Sequence, residues 1–210
     1  MSDRRLLLID TCGLGGSVAL SSATGVQQVE LAPRMAASHG MRAVRELLEE
    51  AGCELADLDA IAVMHGPGSF TGVRVGVAMA KGLSEAAGIG LIPLSRLDVL
   101  RAMQPEAAFA ALDAGRGEFY LGSATSQELV TLQEMLSRVP AQATVVVCED
   151  RVADSLDALT IVRVPEPTAK DGLGLAIAAL DAGQVVTAEA VDALYLRRPD
   201  AERALERAGS

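Results

Sequence analysis

The chain has 210 residues, half of them hydrophobic, with only 2% aromatic side chains and a formal net charge of −10. That length can bury a sizeable core as one large or two small domains, and the abundance of Ala, Val, Leu and Gly favours an α/β class packed through small side chains. The acidic balance excludes strong binding of a polyanion unless a local basic patch overcomes it; the adjacent pairs Arg4-Arg5 and Arg197-Arg198 read as solvated charges.

Leu6 to Asp10 is a compact apolar run ending in an acid, and Ser17 to Leu20 resumes it after Gly13, Gly15 and Gly16, which predicts a hairpin. Val26 to Leu31 alternates as a third strand would. Met41, Val44, Leu47, Leu48 and Ala51 fall at helical spacing opposite Arg42, Arg45, Glu46, Glu49 and Glu50, with Gly52 as the stop. Ala60 to Met64 predicts a fourth strand, and the turn His65-Gly66-Pro67-Gly68-Ser69 leads into a second helix ending near Ala87. Ile89 to Leu94 reads as a fifth strand, followed by a helix from Ser95 to Met103. Three strands, helix, strand, helix, strand and helix is the order of a ribonuclease-H-like unit.

The pattern breaks at Gln104-Pro105-Glu106 and then restarts, because Phe109-Ala-Ala-Leu-Asp113 mirrors Leu6-Leu-Leu-Ile-Asp10. Each run is followed by a Gly-containing turn and another strand, Glu118 to Gly122 in the second case, so a duplicated unit is expected. Thr144 to Cys148 and Thr160 to Val164 predict further strands, and Asp171 to Ala182 a helix. The expected domains are residues 1–103 and a smaller one at 104–210. No apolar run is long enough to span a membrane and no signal-peptide pattern follows Arg4-Arg5, so a cytoplasmic protein without membrane contact is expected. Cys12, Cys53 and Cys148 are in no metal-like spacing and read as buried thiols.

Little points to catalysis. Ser69 sits in Gly-Ser-Phe with no assignable His-Asp partners, and Cys12 is the one thiol in a Gly-rich turn worth testing. His39 and His65, the chain's two histidines, are too far apart to share an ion from one helix, so no metal site is expected. Gly66-Pro67-Gly68-Ser69 before a helix fits either an anion-binding turn or one that merely aims the helix. In the second helix Gly72, Gly76 and Ala80 recur every four residues, although each helical Gly costs roughly 1 kcal/mol relative to Ala. Burial within the chain could explain this smooth apolar face, but with Val73 beside it and Val44, Leu47 and Leu48 on the first helix the reading favours a helical interface with a partner chain.

The stretch from His65 to Leu83, His-Gly-Pro-Gly-Ser-Phe-Thr-Gly-Val-Arg-Val-Gly-Val-Ala-Met-Ala-Lys-Gly-Leu, resembles the signature of the TsaB (YeaZ) family. Similar features recur at Leu8-Ile-Asp-Thr11, at His39 before the first helix, at Pro93-Leu94-Ser95, at Asp113 with Arg116-Gly-Glu-Phe-Tyr120, and at Tyr195-Leu-Arg197. The resemblance implies two tandem ribonuclease-H-like domains of the actin-like/sugar-kinase superfamily. It also implies a non-catalytic subunit that pairs with the catalytic TsaD and works with the ATPase TsaE to transfer threonylcarbamoyl to the tRNA adenosine beside the anticodon. Implied too are a homodimer when alone, tRNA contact only through the complex, and no cofactor of its own, ATP and metal residing on the partners.

In that superfamily the Asp ending the first strand approaches metal and phosphate, so Asp10, Thr11, Gly13 and Asp113 form either a working phosphate loop or its relic. Arg116 and Glu118 stand where a phosphate-cradling turn would prefer small residues, which favours the relic. The rival function is a stand-alone nucleotide-dependent phosphotransferase or ATPase. It needs an adenosine-binding Gly-Gly motif, which Gly172-Leu-Gly174 approximates weakly.

Overall fold

A computed structural model describes residues 4–197. Its first sheet opens with an antiparallel meander of β1 (Leu6–Asp10), β2 (Gly16–Ser22) and β3 (Gly25–Leu31). Helix α1 (Ala36–Ala51), strand β4 (Ala60–Met64), helix α2 (Phe70–Ala87) and strand β5 (Leu91–Leu94) complete the order β3-β2-β1-β4-β5. Strands β1 and β4 pair in parallel and are buried at every residue, which is why both read as unbroken apolar runs rather than alternating ones. Gly52 ends α1 in the left-handed conformation, φ 63°.

Helix α3 (Arg96–Met103) leads into a second sheet of β6 (Phe109–Gly115), β7 (Glu118–Gly122) and β8 (Gln127–Thr131). Helix α4 (Leu132–Arg138), β9 (Thr144–Val147), α5 (Asp150–Ser155) and β10 (Thr160–Arg163) follow, and then α6 (Ala169–Asp181). The strand order β10-β9-β6-β7-β8 repeats that of the first sheet, with β6 in the place of β1. The duplication read from the two Asp-ending runs is therefore topological. Elements β8, α4 and α5 carry no long periodic signal; only the Thr131-x-x-Glu134 capping box marks the start of α4.

The division at 103/104 does not hold for the helices. Helix α6 packs on β1, β2 and β5 of the first sheet, where Ala169, Leu173 and Ala176 join its core. Helix α3 packs on the second, its Leu97 and Leu100 clustering with Ala110, Leu112 and Val146. A β-carbon on Gly172 would meet Leu8, whereas one on Gly76 would meet Ile9. Neighbouring residues of a strand face opposite ways, so α6 and α2 cover opposite faces of β1. Two exchanged helices thus tie the lobes together. His39 lies inside α1 rather than before it, His65 follows the end of β4, and of the cysteines only Cys12 is fully buried. Arg198 and the end of the expected second domain lie outside the described residues.

Candidate functional site at the cleft between the lobes

The turns after β1 and β6 face the cleft and share one device. Asp10 Oδ1 accepts from the Cys12 amide at 2.9 Å, and Asp113 Oδ1 from the Gly115 amide at 2.7 Å, so each acid folds its own turn. The first turn is stitched to the start of α2. Thr11 Oγ1 donates to Gly72 O at 2.6 Å, and the Ser69 amide donates to Cys12 O at 2.8 Å while the Ser69 hydroxyl caps the helix. A β-carbon on Gly68 would stand 2.4 Å from Cys12 O. The Gly-Pro-Gly-Ser segment is thus committed to holding the β1 turn; of its two readings the structure carries the one that aims the helix.

Between the two turns lies Arg96, the first residue of α3, 3% exposed. Its amide donates to Gly66 O at 2.8 Å and its guanidinium to Glu166 Oε1 at 2.6 Å. The pair covers the first turn, since a β-carbon on Gly13 would fall 2.0 Å from Glu166 Oε1 and 3.3 Å from the Arg96 guanidinium. The remaining cavity, about 450 Å³, is lined by Asp113, Glu149 and Glu166 against Arg34 and Arg96. Three carboxylates around a guanidinium already engaged make poor surroundings for a phosphate.

Burial raises the Asp10 carboxyl above its ordinary value, with Arg96 opposing, and burial likewise raises Glu149. The Cys12 thiol is pushed well up by burial and donates to Met64 O at 3.2 Å; burial pushes Cys148 to about 11. Burial and the hydrogen bond to Met64 O both disfavour the Cys12 thiolate, the form in which a thiol acts as a nucleophile. In the second lobe Asp113 is engaged as well, its amide donating to Glu149 at 2.6 Å and its carboxylate 3.3 Å from Arg151. His65 bonds Asp192 O at 2.8 Å and burial lowers its pKa; His39 bonds Ser38 Oγ. Among the described residues no group of three or more His, Cys, Asp or Glu converges as metal ligands would.

The expected interface residues fall elsewhere than on an open face. Val44, Leu47, Val73, Gly76 and Ala80 are buried in the chain's own core, and Leu48 and Gly72 are half-buried. A β-carbon would stand 1.9 Å from Thr11 O at Gly72 and 2.4 Å from Thr11 Oγ1 at Gly76. The small-residue row therefore lets α2 approach the chain's own β1 turn, a close approach that helical spacing alone cannot assign to self or partner. The residues that the helix pair shows outward include Met41, Arg45, Ala78 and Gly82. Gly172 packs against Leu8 and Met64 inside the first lobe, so its glycine is a packing residue. Arg96 and Glu166 escaped sequence reading because nothing in a pattern tells a buried arginine at a helix start from an exposed one.

Residues 24–172 match the family model described as TsaD, tRNA N6-adenosine threonylcarbamoyltransferase. The chain is 38% identical over 122 residues to the tRNA threonylcarbamoyladenosine biosynthesis protein TsaB of Escherichia coli K12, covering 55% of this chain and 53% of that one. The TsaB of Haemophilus influenzae is 35% identical over 135 residues, covering 61% and 57%. The matches thus span little more than half the length of these curated relatives. A Pseudomonas aeruginosa crystal structure described as similar to peptidase YEAZ superposes with TM-score 0.80 at 30% identity, over 92% of this chain and all of that one.

Proposed function

The chain belongs to the TsaB (YeaZ) family, and from that premise we propose that it serves threonylcarbamoyladenosine formation in tRNA as a non-catalytic subunit. In this reading it supports a TsaD-like catalytic chain and helps form the surface on which a TsaE-like ATPase acts. ATP and metal belong to those partners, and tRNA is met through the complex. Alone, the chain pairs with itself through the outward face of α1 and α2.

The observation that supports the non-catalytic reading is the covered first turn of the cleft. Arg96 and Glu166 sit on the Gly13 turn where an actin-like ATPase would hold phosphates, and Asp10 and Asp113 spend their carboxylates on their own turns. The rival, a stand-alone phosphotransferase or ATPase, needs both turns open and an acid free for a cation. Among the described residues no helix is long and apolar enough to cross a membrane, which suits work beside tRNA.

Two measurements test the proposal. Deletion in the host should deplete threonylcarbamoyladenosine in digested tRNA analysed by mass spectrometry, and the purified chain should hydrolyse ATP with Mg²⁺ no faster than buffer. Unchanged modification, with no paralogue present, would remove the pathway assignment. Turnover abolished by Asp10→Ala would restore the enzyme reading.

A further inference from the structure

Beside the cleft lies a second cavity, of about 600 Å³, walled by the start of α2, the β6–β7 turn and the segment that runs to Arg197. Its lining includes Phe70, Tyr120 and Tyr195, three of the chain's five aromatic side chains, together with Arg74, Arg116 and Arg197. Among the described residues no Asp or Glu lines it. In a chain of net charge −10 and 2% aromatics, such a concentration is not what composition distributes by default.

The groups are also arranged. The Arg74 guanidinium lies 4.1 Å from the Phe70 ring centroid and 5.9 Å from that of Tyr195, and its Nε donates to the Tyr195 hydroxyl at 2.7 Å. The two rings stand 5.5 Å apart, tilted by 34°. Phe70 is nonetheless 58% exposed and Tyr195 47%, so large apolar faces are held in water, oriented by a cation. Arg197 donates to Ala114 O and pairs with Glu118 at 2.8 Å, yet its Nε is buried without an acceptor. A buried donor left unpaired costs stability unless something else supplies an acceptor.

We propose that this cavity binds a nucleotide, its base stacking on the Phe70–Arg74–Tyr195 platform and its phosphate answering the arginines. The volume lies within the range of small-ligand sites. Guanidinium planes and aromatic faces stack nucleobases of any sequence, and arginine forks match phosphate oxygens. A neutral aromatic would leave Arg74, whose partners here are the Tyr195 hydroxyl and the two rings, without a counter-charge, and an anion without a ring would leave the exposed faces wet. The site is one of binding only and does not depend on the tRNA-pathway reading; it adjoins the cleft, sharing Gly68, Ala114, Gly115 and Tyr120 with it, while Phe70, Arg74 and Tyr195 line this cavity and not the cleft. The base can come from a free nucleotide or from an unstacked position of single-stranded RNA.

Both tyrosines of the chain line the cavity and there is no tryptophan, so tyrosine emission reports binding there, and the Phe70 and Arg74 variants, whose side chains do not line the cleft, separate it from the cleft that shares Tyr120. The full chain is titrated with AMP without Mg²⁺, corrected for absorbance and repeated by calorimetry. Saturable quenching is expected, tighter than for adenosine or inorganic phosphate separately. Phe70→Ala and Arg74→Ala should each weaken it by about tenfold or more, with the melting curve unchanged because both side chains are exposed. Arg74→Lys should fall between, keeping charge without the stacking plane. An adenosine-containing oligoribonucleotide that saturates with the same variant sensitivity where AMP does not identifies RNA as the source. Failure of both ligands, indifference to both alanine variants, or inorganic phosphate binding as tightly as AMP overturns the proposal and leaves the tRNA-modification reading untouched.

Discussion

At Gly76 the backbone of α2 passes so close to Thr11 that hydrogen is the largest side chain the contact admits, and the residue is buried. Read from spacing, Gly76→Arg should give a folded monomer, because the row Gly72, Gly76, Ala80 looks like a face awaiting another chain. The structure reverses that outcome. An arginine there must displace the β1 turn, whose Thr11 bonds Gly72 O, and bury a charge without a partner. Gly76→Arg should cost about 3 kcal/mol or more of folding stability, read as a lowered urea midpoint or an unfolded circular dichroism spectrum. A stably folded monomer would return the glycines to an external interface.

Helices α1 and α2 separate what amphipathicity tells from what it leaves out. The buried set of α1, Gly40, Ala43, Val44 and Leu47, falls at the spacing of one helix face, so its inward side is legible in the sequence. Helix α2 is apolar nearly all round, and its period does not say which apolar face meets the β1 turn, α1 or solvent. Packing decides: Met79 sits on Gly40 of α1, and Ala78 points to water. If the chain self-associates through this pair, the sensitive positions are the outward ones. Ala78→Arg and Met41→Glu should each dissociate the dimer in sedimentation while moving stability by only about 0.5 kcal/mol. A dimer that survives both substitutions places the interface on another surface.

The two lobes are held by exchanged helices and by Arg96, a single buried cation among Asp10, Glu149 and Glu166. Arg96→Met should cost about 3–5 kcal/mol by leaving buried acid uncompensated. Glu166→Gln should cost under about 1 kcal/mol, since that side chain is 48% exposed. The pH dependence follows from Asp10, whose folded pKa burial raises above the unfolded value. The stability of its neutral form is complete below the unfolded carboxylate range and is lost as pH rises through the folded pKa. Without the guanidinium that loss grows. The deficit of Arg96→Met should therefore be largest at neutral pH and shrink as pH falls toward the unfolded carboxylate range, measured by denaturant melts across the range. A deficit constant with pH would mean that Arg96 acts by packing alone.

Local sequence signals specify the strongest elements and the doubling of the unit. Buried parallel strands such as Leu6 to Asp10 and Ala60 to Met64 appear as unbroken apolar runs, Gly52 must stop a helix, and a strand ending in Asp before a Gly turn appears twice. Each is written in neighbouring residues, because strand burial, helix period and turn conformation are properties of a few consecutive positions. Long-range packing set the assignment of α3 and α6 to opposite lobes, the inward turn of the glycine row, and the meeting of Arg96 with Glu166 across 70 positions. It also gathered Phe70, Arg74 and Tyr195, 121 positions apart at the hydrogen bond that joins them. Such contacts depend on which surfaces close over one another, and a one-dimensional pattern of polarity carries that choice only as a set of faces, not as their partners.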